Sequence, residues 1–150
     1  MCPVKISVSA DMLDGIGADI AEELRKRGHE VLTHGALNPD ESSDWARASE
    51  AAASDVAEGR ADQGVVCCWT GTGASIAANK VPGVRAALCT DPYTAQGARR
   101  WNDANVLALS LRLTSLPLLD EILDAWFAAD VTEDEDDLAS IDHLAEIGRG

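Results

Sequence analysis

Two periods alternate along the chain. Residues 4–10 (VKISVSA), 30–33, 63–68 (QGVVCC), 84–89 and 105–110 are short apolar runs bounded mostly by Gly, Pro, Asn or Asp, and they read as buried strands. Between them the apolar positions spread to helical spacing. Ile16, Ile20 and Leu24 mark a first helix, with Arg25, Lys26 and Arg27 in its last turn and Gly28 as its stop. A polar, Ala-rich helix is expected over residues 44–58, and a short one from the Gly71-Thr72-Gly73 turn to about Lys80. Asp91 with Pro92 opens a helix to about Trp101. Ser115 with Pro117 opens another, whose Leu119, Ile122, Leu123, Trp126 and Phe127 keep the i, i+3, i+4, i+7, i+8 pattern.

Strands alternating with helices at this rhythm predict an α/β fold, a five-stranded parallel sheet with helices on both faces. The pattern changes after residue 130. Glu133-Asp134-Glu135-Asp136-Asp137 is an acidic run, Thr132 and Glu135 fit a capping box, and Leu138, Ile141 and Leu144 form a narrow stripe on the helix beyond. Residues 1–130 therefore read as the α/β domain and 131–150 as an acidic C-terminal helix, suited to docking on a partner subunit or on its own chain. Ligands of such folds sit at the carboxyl ends of strands, an edge that here collects Asp11, residues 68–73, Asp91 and Ser110.

Composition narrows the partners. The 150 residues, 46% of them apolar, suffice for one core, and no run of 18 apolar residues or basic-then-apolar leader occurs, so a soluble, cytoplasmic protein is expected. A formal charge of −14 argues against nucleic acid or an anionic membrane as partner, and means that a phosphorylated substrate needs a local basic site. The four cysteines show no CxxC spacing. Adjacent Cys67 and Cys68 project to opposite faces of a strand, a poor metal pair and a poor disulfide, so no metal is expected.

Candidate chemistry concentrates where the third strand meets the Gly-rich turn. A strand, a glycine turn and a helix start present backbone N–H groups and a positive dipole end at one point, with the Cys68 thiol just ahead of it. Such a thiol is either a proton-transfer base or a core side chain, the second reading suiting Cys67 and Cys89. Gly71 and Gly73 could simply make the turn, Thr70 and Thr72 could be caps, and Asp11 could cap the first helix. Dinucleotide binding is a further reading, since Gly71-x-Gly73 follows a strand and Asp91 lies 20 residues on, although Ile76 occupies the third glycine position.

Three collinear motifs decide more: Gly71-Thr72-Gly73 with Ser75-Ile76-Ala77-Ala78-Asn79-Lys80, then Gly83-Val84-Arg85-Ala86-Ala87, then Asn102-Asp103-Ala104-Asn105-Val106-Leu107-Ala108. With them the chain resembles the type B ribose-5-phosphate isomerase and galactose-6-phosphate isomerase family, over roughly residues 4–129 and most strongly over 62–109. The resemblance implies a Rossmann-like three-layer sandwich, a homodimer or homotetramer with its site between subunits, and aldose–ketose isomerisation of a sugar or sugar phosphate without metal or cofactor. It implies that Cys68 moves the proton through a cis-enediolate and that Thr70 opens or orients the sugar. It further implies that N–H groups from Gly71, Thr72, Gly73 and Ala74 hold the enediolate oxygens, and that Asp11 and Asn102 bind sugar hydroxyls. Departures from the family pattern are informative. Met12 and Trp101 stand where histidines are usual, Trp45 where a tyrosine often follows an aspartate, and Trp69 where glycine commonly follows the cysteine. These four residues are expected to line a more apolar pocket. The family's C-terminal arginine clamp is replaced by the acidic run, leaving Arg149 nearby, so the substrate is expected to have shifted from ribose 5-phosphate. Arg85 and Arg112 match positions common in the family and read as structural. The alternative is a non-catalytic sugar-binding protein on the same fold.

Overall fold

A computed structural model describes residues 3–148; Cys2 and Arg149 lie outside them. The apolar runs become β1 (Lys5–Ala10), β2 (Glu30–Gly35), β3 (Gln63–Cys68), β4 (Ala86–Leu88) and β5 (Val106–Ser110), paired in parallel in the order β2-β1-β3-β5-β4. The helices are α1 (Ile20–Lys26), α2 (Trp45–Ala57), α3 (Thr72–Asn79), α4 (Pro92–Asn102), α5 (Leu116–Ala128) and α6 (Glu135–Leu144). Right-handed crossovers in this order put α1 and α4 on one face and α2 and α3 on the other, with α5 joining the first. The result is the expected three-layer α/β sandwich.

Alternation along the strands divides the core. Ile6, Val8, Val65, Leu107 and Leu109 face α1, α4 and α5, where they meet Ile20, Leu24, Leu119, Ile122, Leu123 and Trp126. Val66, Cys68, Val106 and Ala108 face α2 and α3, whose contributions are alanines: Ala52, Ala53, Ala74 and Ala78. Small residues on both sides let these two helices lie close to the strands.

The motif residues beyond the glycine turn prove to be staples. The Asn79 side chain donates to Ala86 O (2.9 Å) and accepts from Ala86 N (2.8 Å), fastening α3 to β4. Asn105 Oδ1 accepts from Arg85 N (2.7 Å) and its Nδ2 donates to Gly83 O (3.0 Å). Asp103 adopts φ 47° at the end of α4 and pairs with Arg85 and Arg99.

Several boundaries differ from expectation. The first helix divides into a 3-10 turn at Gly15–Ala18 followed by α1, because Gly17 N and Asp19 N bond three residues back. Asp11 does not cap it; the preceding residue is Asp14, which makes no side-chain cap bond. The fourth strand is three residues, since Val84 N returns to Val81 O and Arg85 N is taken by Asn105. The cap of α6 is Asp134, whose carboxylate accepts from Asp136 N and Asp137 N, while Thr132 Oγ1 accepts from Asp134 N. Asp91 and Ser115 cap α4 and α5 as expected. No helix among the described residues is long and apolar enough to cross a membrane.

Candidate active site

β3 ends by delivering Cys68 to the floor of the α3 N-terminus. Gly71 turns the chain at φ 79°, with the Leu88 side chain and the Leu109–Ser110 backbone so close that a Cβ there would overlap them. The turn brings two backbone donors onto the sulfur: Gly71 N–H at 3.2 Å and Ala74 N–H at 3.4 Å from Cys68 Sγ. Main-chain dipoles held in place by a tight turn favour negative charge at the point they face. The N–H groups of Thr72 and Gly73, also in the first turn of α3, meet no acceptor among the described residues. They remain available to an oxygen of a bound molecule.

The neighbouring thiols contrast with this one. Cys67 faces the opposite side of the sheet, and its pKa is pushed far up by burial, with Cys68 and Asp11 adding to the rise. Cys89 is pushed up to about 12 by burial and by the charge of Asp91. Both are core side chains.

Other residues singled out in the sequence lie at the same edge of the sheet. Asp11 follows β1; its Oδ1 is buried without a protein partner, and burial raises its pKa against the opposing pull of the Asp11 and Trp69 backbone N–H groups. Met12 packs half-buried on the core beside it. Trp69 is 44% exposed, and its carbonyl accepts from Ser110 Oγ (2.9 Å) and Arg112 N (3.0 Å), locking the β3 and β5 ends together. The hydroxyls of Thr70 and Thr72 are 2.8 Å apart. Trp45, the first residue of α2, is 48% exposed and lays its ring against Gly73, where a Cβ would sit 2.9 Å from Trp45 Cε3. A glycine at 73 is what lets the ring lie there.

Arg112 belongs to this edge as well. Its side chain is exposed and has no carboxylate partner among the described residues, which makes it a local cation in an acidic protein. Read in the sequence as structural, it acquires its place only from the bond that joins its backbone to Trp69.

Trp101 and Asn102 lie elsewhere in the chain. They end α4, which descends from the carboxyl edge to the start of β5, about 16 Å for its eleven residues. Trp101 packs on Gly97 and Tyr93, and Asn102 lines a groove of about 770 Å³ with Lys80, Arg85, Leu144 and Ile147. Asp91, the acid of the dinucleotide reading, is taken up as the cap of α4 by Thr94 N (2.7 Å). None of the three histidines sits with Cys68: His29 stacks on Phe127, His34 is bonded to Glu41 and Asp55, and His143 pairs with Glu146. Among the described residues no group of three or more His, Cys, Asp and Glu could hold a metal ion.

A parallel α/β sandwich with a thiol and helix-start N–H groups at its carboxyl edge has the frame of a protein that takes a small molecule at that edge. The family model described as Ribose/Galactose Isomerase matches residues 14–144, and the chain belongs to that family. Ribose-5-phosphate isomerase B of Escherichia coli (strain K12) is 43% identical over 111 residues, 74% of each chain. D-erythrulose-4-phosphate isomerase of Pectobacterium atrosepticum is 36% identical over 111 residues, 74% of this chain and 73% of that one. The solved ribose-5-phosphate isomerase B of Clostridium thermocellum superposes with a TM-score of 0.86 at 40% identity, over 95% of this chain and 96% of its own. The enzyme is thus an aldose–ketose isomerase, and the dinucleotide and non-catalytic readings fall away.

Proposed function

We propose that the enzyme interconverts a short aldose phosphate and its ketose through a cis-enediolate, with Cys68 as the base. The pair of N–H groups on Cys68 Sγ carries this reading. The sulfur, as thiolate, takes the proton from C2 of the aldose; the C–H electrons form the C1–C2 double bond and the carbonyl electrons move to O1. The first-turn N–H groups of Thr72 and Gly73 receive the oxygen charge. The thiol then returns its proton to C1 while the O2 proton passes to O1 by way of Thr70, leaving the ketose. Asp11 takes a sugar hydroxyl with its buried, unpartnered Oδ1. Trp45, Trp69 and Met12 wall the chain, and Arg112 receives the phosphate.

Trp101 and Asn102 enter this site only from a second copy. A homodimer that brings the groove holding Asn102 over its partner's carboxyl edge completes the site. The substrate class follows from the side chains around the sulfur. The turn after Cys68 carries the Thr70–Thr72 hydroxyl pair, Asp11 stands at the same sheet edge, and all three imidazoles of the chain are engaged elsewhere. A four-carbon sugar phosphorylated on C4 has no free hydroxyl that closes a five-membered ring, so it arrives with its carbonyl open and needs no ring-opening acid.

The test is a panel of free and phosphorylated tetroses, pentoses and hexoses, read by turnover and by solvent deuterium entering C1 or C2. The expected result is highest kcat/KM on a tetrose 4-phosphate, lowered about 10³-fold or more by Cys68→Ala. Turnover that survives Cys68→Ala removes the base. For the shared site, Cys68→Ala and Asn102→Ala chains are mixed: recovery of turnover supports it, and a monomeric mass in solution refutes it.

A further inference from the structure

A buried polar network stands behind the site, between β1, β2 and α2. His34, near the end of β2, places Nε2 2.7 Å from Asp55 Oδ2 of α2 and Nδ1 2.9 Å from Glu41 Oε1 of the following loop. Carboxylate oxygens only accept, so the ring satisfies both partners when each nitrogen carries a proton, that is, as the imidazolium. Asp55 is saturated in turn: Ser7 Oγ of β1 donates to Oδ2 (2.7 Å) and Arg60 Nε to Oδ1 (2.7 Å). Glu41 also accepts from Asn38 Nδ2, within the same loop. The Asp55 side chain is only 8% exposed and that of His34 18%.

These are the charged groups that face His34: Glu41 from the loop and Asp55 from α2, with Arg60 behind Asp55. β1 offers only the hydroxyls of Ser7 and of Ser9, the residue paired with His34 in the sheet. α1 packs on the other face of β2, with Val31. Both carboxylates together outweigh the effect of burial and raise the His34 pKa.

The loop held by Glu41 leads directly into Asp44, the cap of α2, and Trp45, whose ring covers Gly73. We propose that His34 is a positioning residue for the substrate wall: by gripping Glu41 and Asp55 at once it fixes the 36–44 loop to α2 and seats Trp45 over the turn that holds Cys68. This rests on the isomerase site described above for its kinetic consequence, but not for its structural one. An ion pair that joins a surface loop to a buried helix carboxylate orders the loop more than a loop-internal bond does, because both its ends are constrained. Arg60 grips the same Asp55 from the far end of α2, away from Trp45, and supplies the control.

The experiment compares His34→Gln, Glu41→Ala and Arg60→Gln with the wild type. Steady-state kinetics use the best substrate of the panel, and the fluorescence difference between each protein and its Trp45→Phe version reports Trp45 alone. Expected for His34→Gln and Glu41→Ala is a KM raised about fivefold with kcat within about twofold, and a Trp45 emission shifted to the red. The wild type makes the same shift as pH rises past the raised His34 pKa, and His34→Gln does not. Arg60→Gln lowers the Tm and leaves KM and Trp45 emission alone. Should His34→Gln fail to fold, Glu41→Ala, on the loop, tests the same grip. Unchanged KM and Trp45 emission in both, or equal changes in Arg60→Gln, overturns the proposal. If no sugar turns over, the function reading fails, and the fluorescence arm still decides this one.

Discussion

The two faces of the sheet are built from different materials. The face under α1, α4 and α5 is filled by large side chains, down to Trp126, whose Nε1 donates to Gln63 Oε1 (2.9 Å) beneath the Arg99 guanidinium. The face under α2 and α3 is filled by alanine, valine and cysteine around the polar network of Ser7, Asp55 and His34. The first face is packed with the larger apolar side chains, so its burial is expected to contribute more to stability. The second gives up that burial and gains approach: the α3 N-terminus comes close enough to β3 for backbone N–H groups to touch Cys68 Sγ. Cys67 and Cys68 are one residue apart and fall on opposite sides of this division. The proposed chemistry sits on the thin face, where the start of α3 lies against the end of β3.

The sharpest way to break the comparison is to empty each cysteine in turn. Cys68→Ala is expected to lower kcat/KM about 10³-fold with little loss of stability, and Cys67→Ala to cost stability with kcat nearly intact. Thermal melts beside kinetics check this; equal loss of activity in both would erase the distinction. Next comes packing. Leu123→Ala on the thick face should cost about 2–5 kcal/mol, and Ala78→Leu, which overfills the thin face, about 1–3 kcal/mol, both measured by denaturant unfolding. Gly73→Ala is expected to raise KM severalfold by lifting the Trp45 ring. Its effect on unfolding should be small, because alanine favours a helix by about 1 kcal/mol over glycine.

The smallest effect concerns pH. His34, its pKa raised by Glu41 and Asp55 against burial, contributes stability that is whole below about 6.5 and fades as pH rises through its higher folded value. His29 behaves in the opposite sense: burial, with Arg27 nearby, lowers its pKa, so its contribution is present above about 6.5 and fades as pH falls through the lower folded value. A plot of Tm against pH for wild type, His34→Gln and His29→Gln should separate an alkaline loss that vanishes in the first variant from an acid loss that vanishes in the second.

Much of this was written in periodicity. The strands, the five helices of the α/β domain and the stops at Gly28 and Gly59 follow from local pattern, since backbone hydrogen bonding and the burial of one face act over a few residues. The stretch contiguous in sequence, the glycine turn from Trp69 to Ala74 that places backbone donors at Cys68, was equally legible as a turn and helix start. The position of Arg112 beside that turn was not, because it depends on a bond between the ends of two strands that are far apart in the chain. The network of Ser7, His34, Glu41 and Asp55 has no repeating interval to betray it. The divided first helix and the short β4 turn on single competing bonds that spacing does not reveal.

The chain alone determined that there would be a parallel sheet, that it would end in a glycine turn beside a thiol, and that Cys67 and Cys68 would part company, because a strand alternates its side chains. Only the folded molecule decided that Gly71 N–H and Ala74 N–H would both point at the sulfur, and that Trp101 and Asn102 would stand at the opposite edge. Distances between segments remote in sequence are set by how the layers pack, and local pattern carries no record of them.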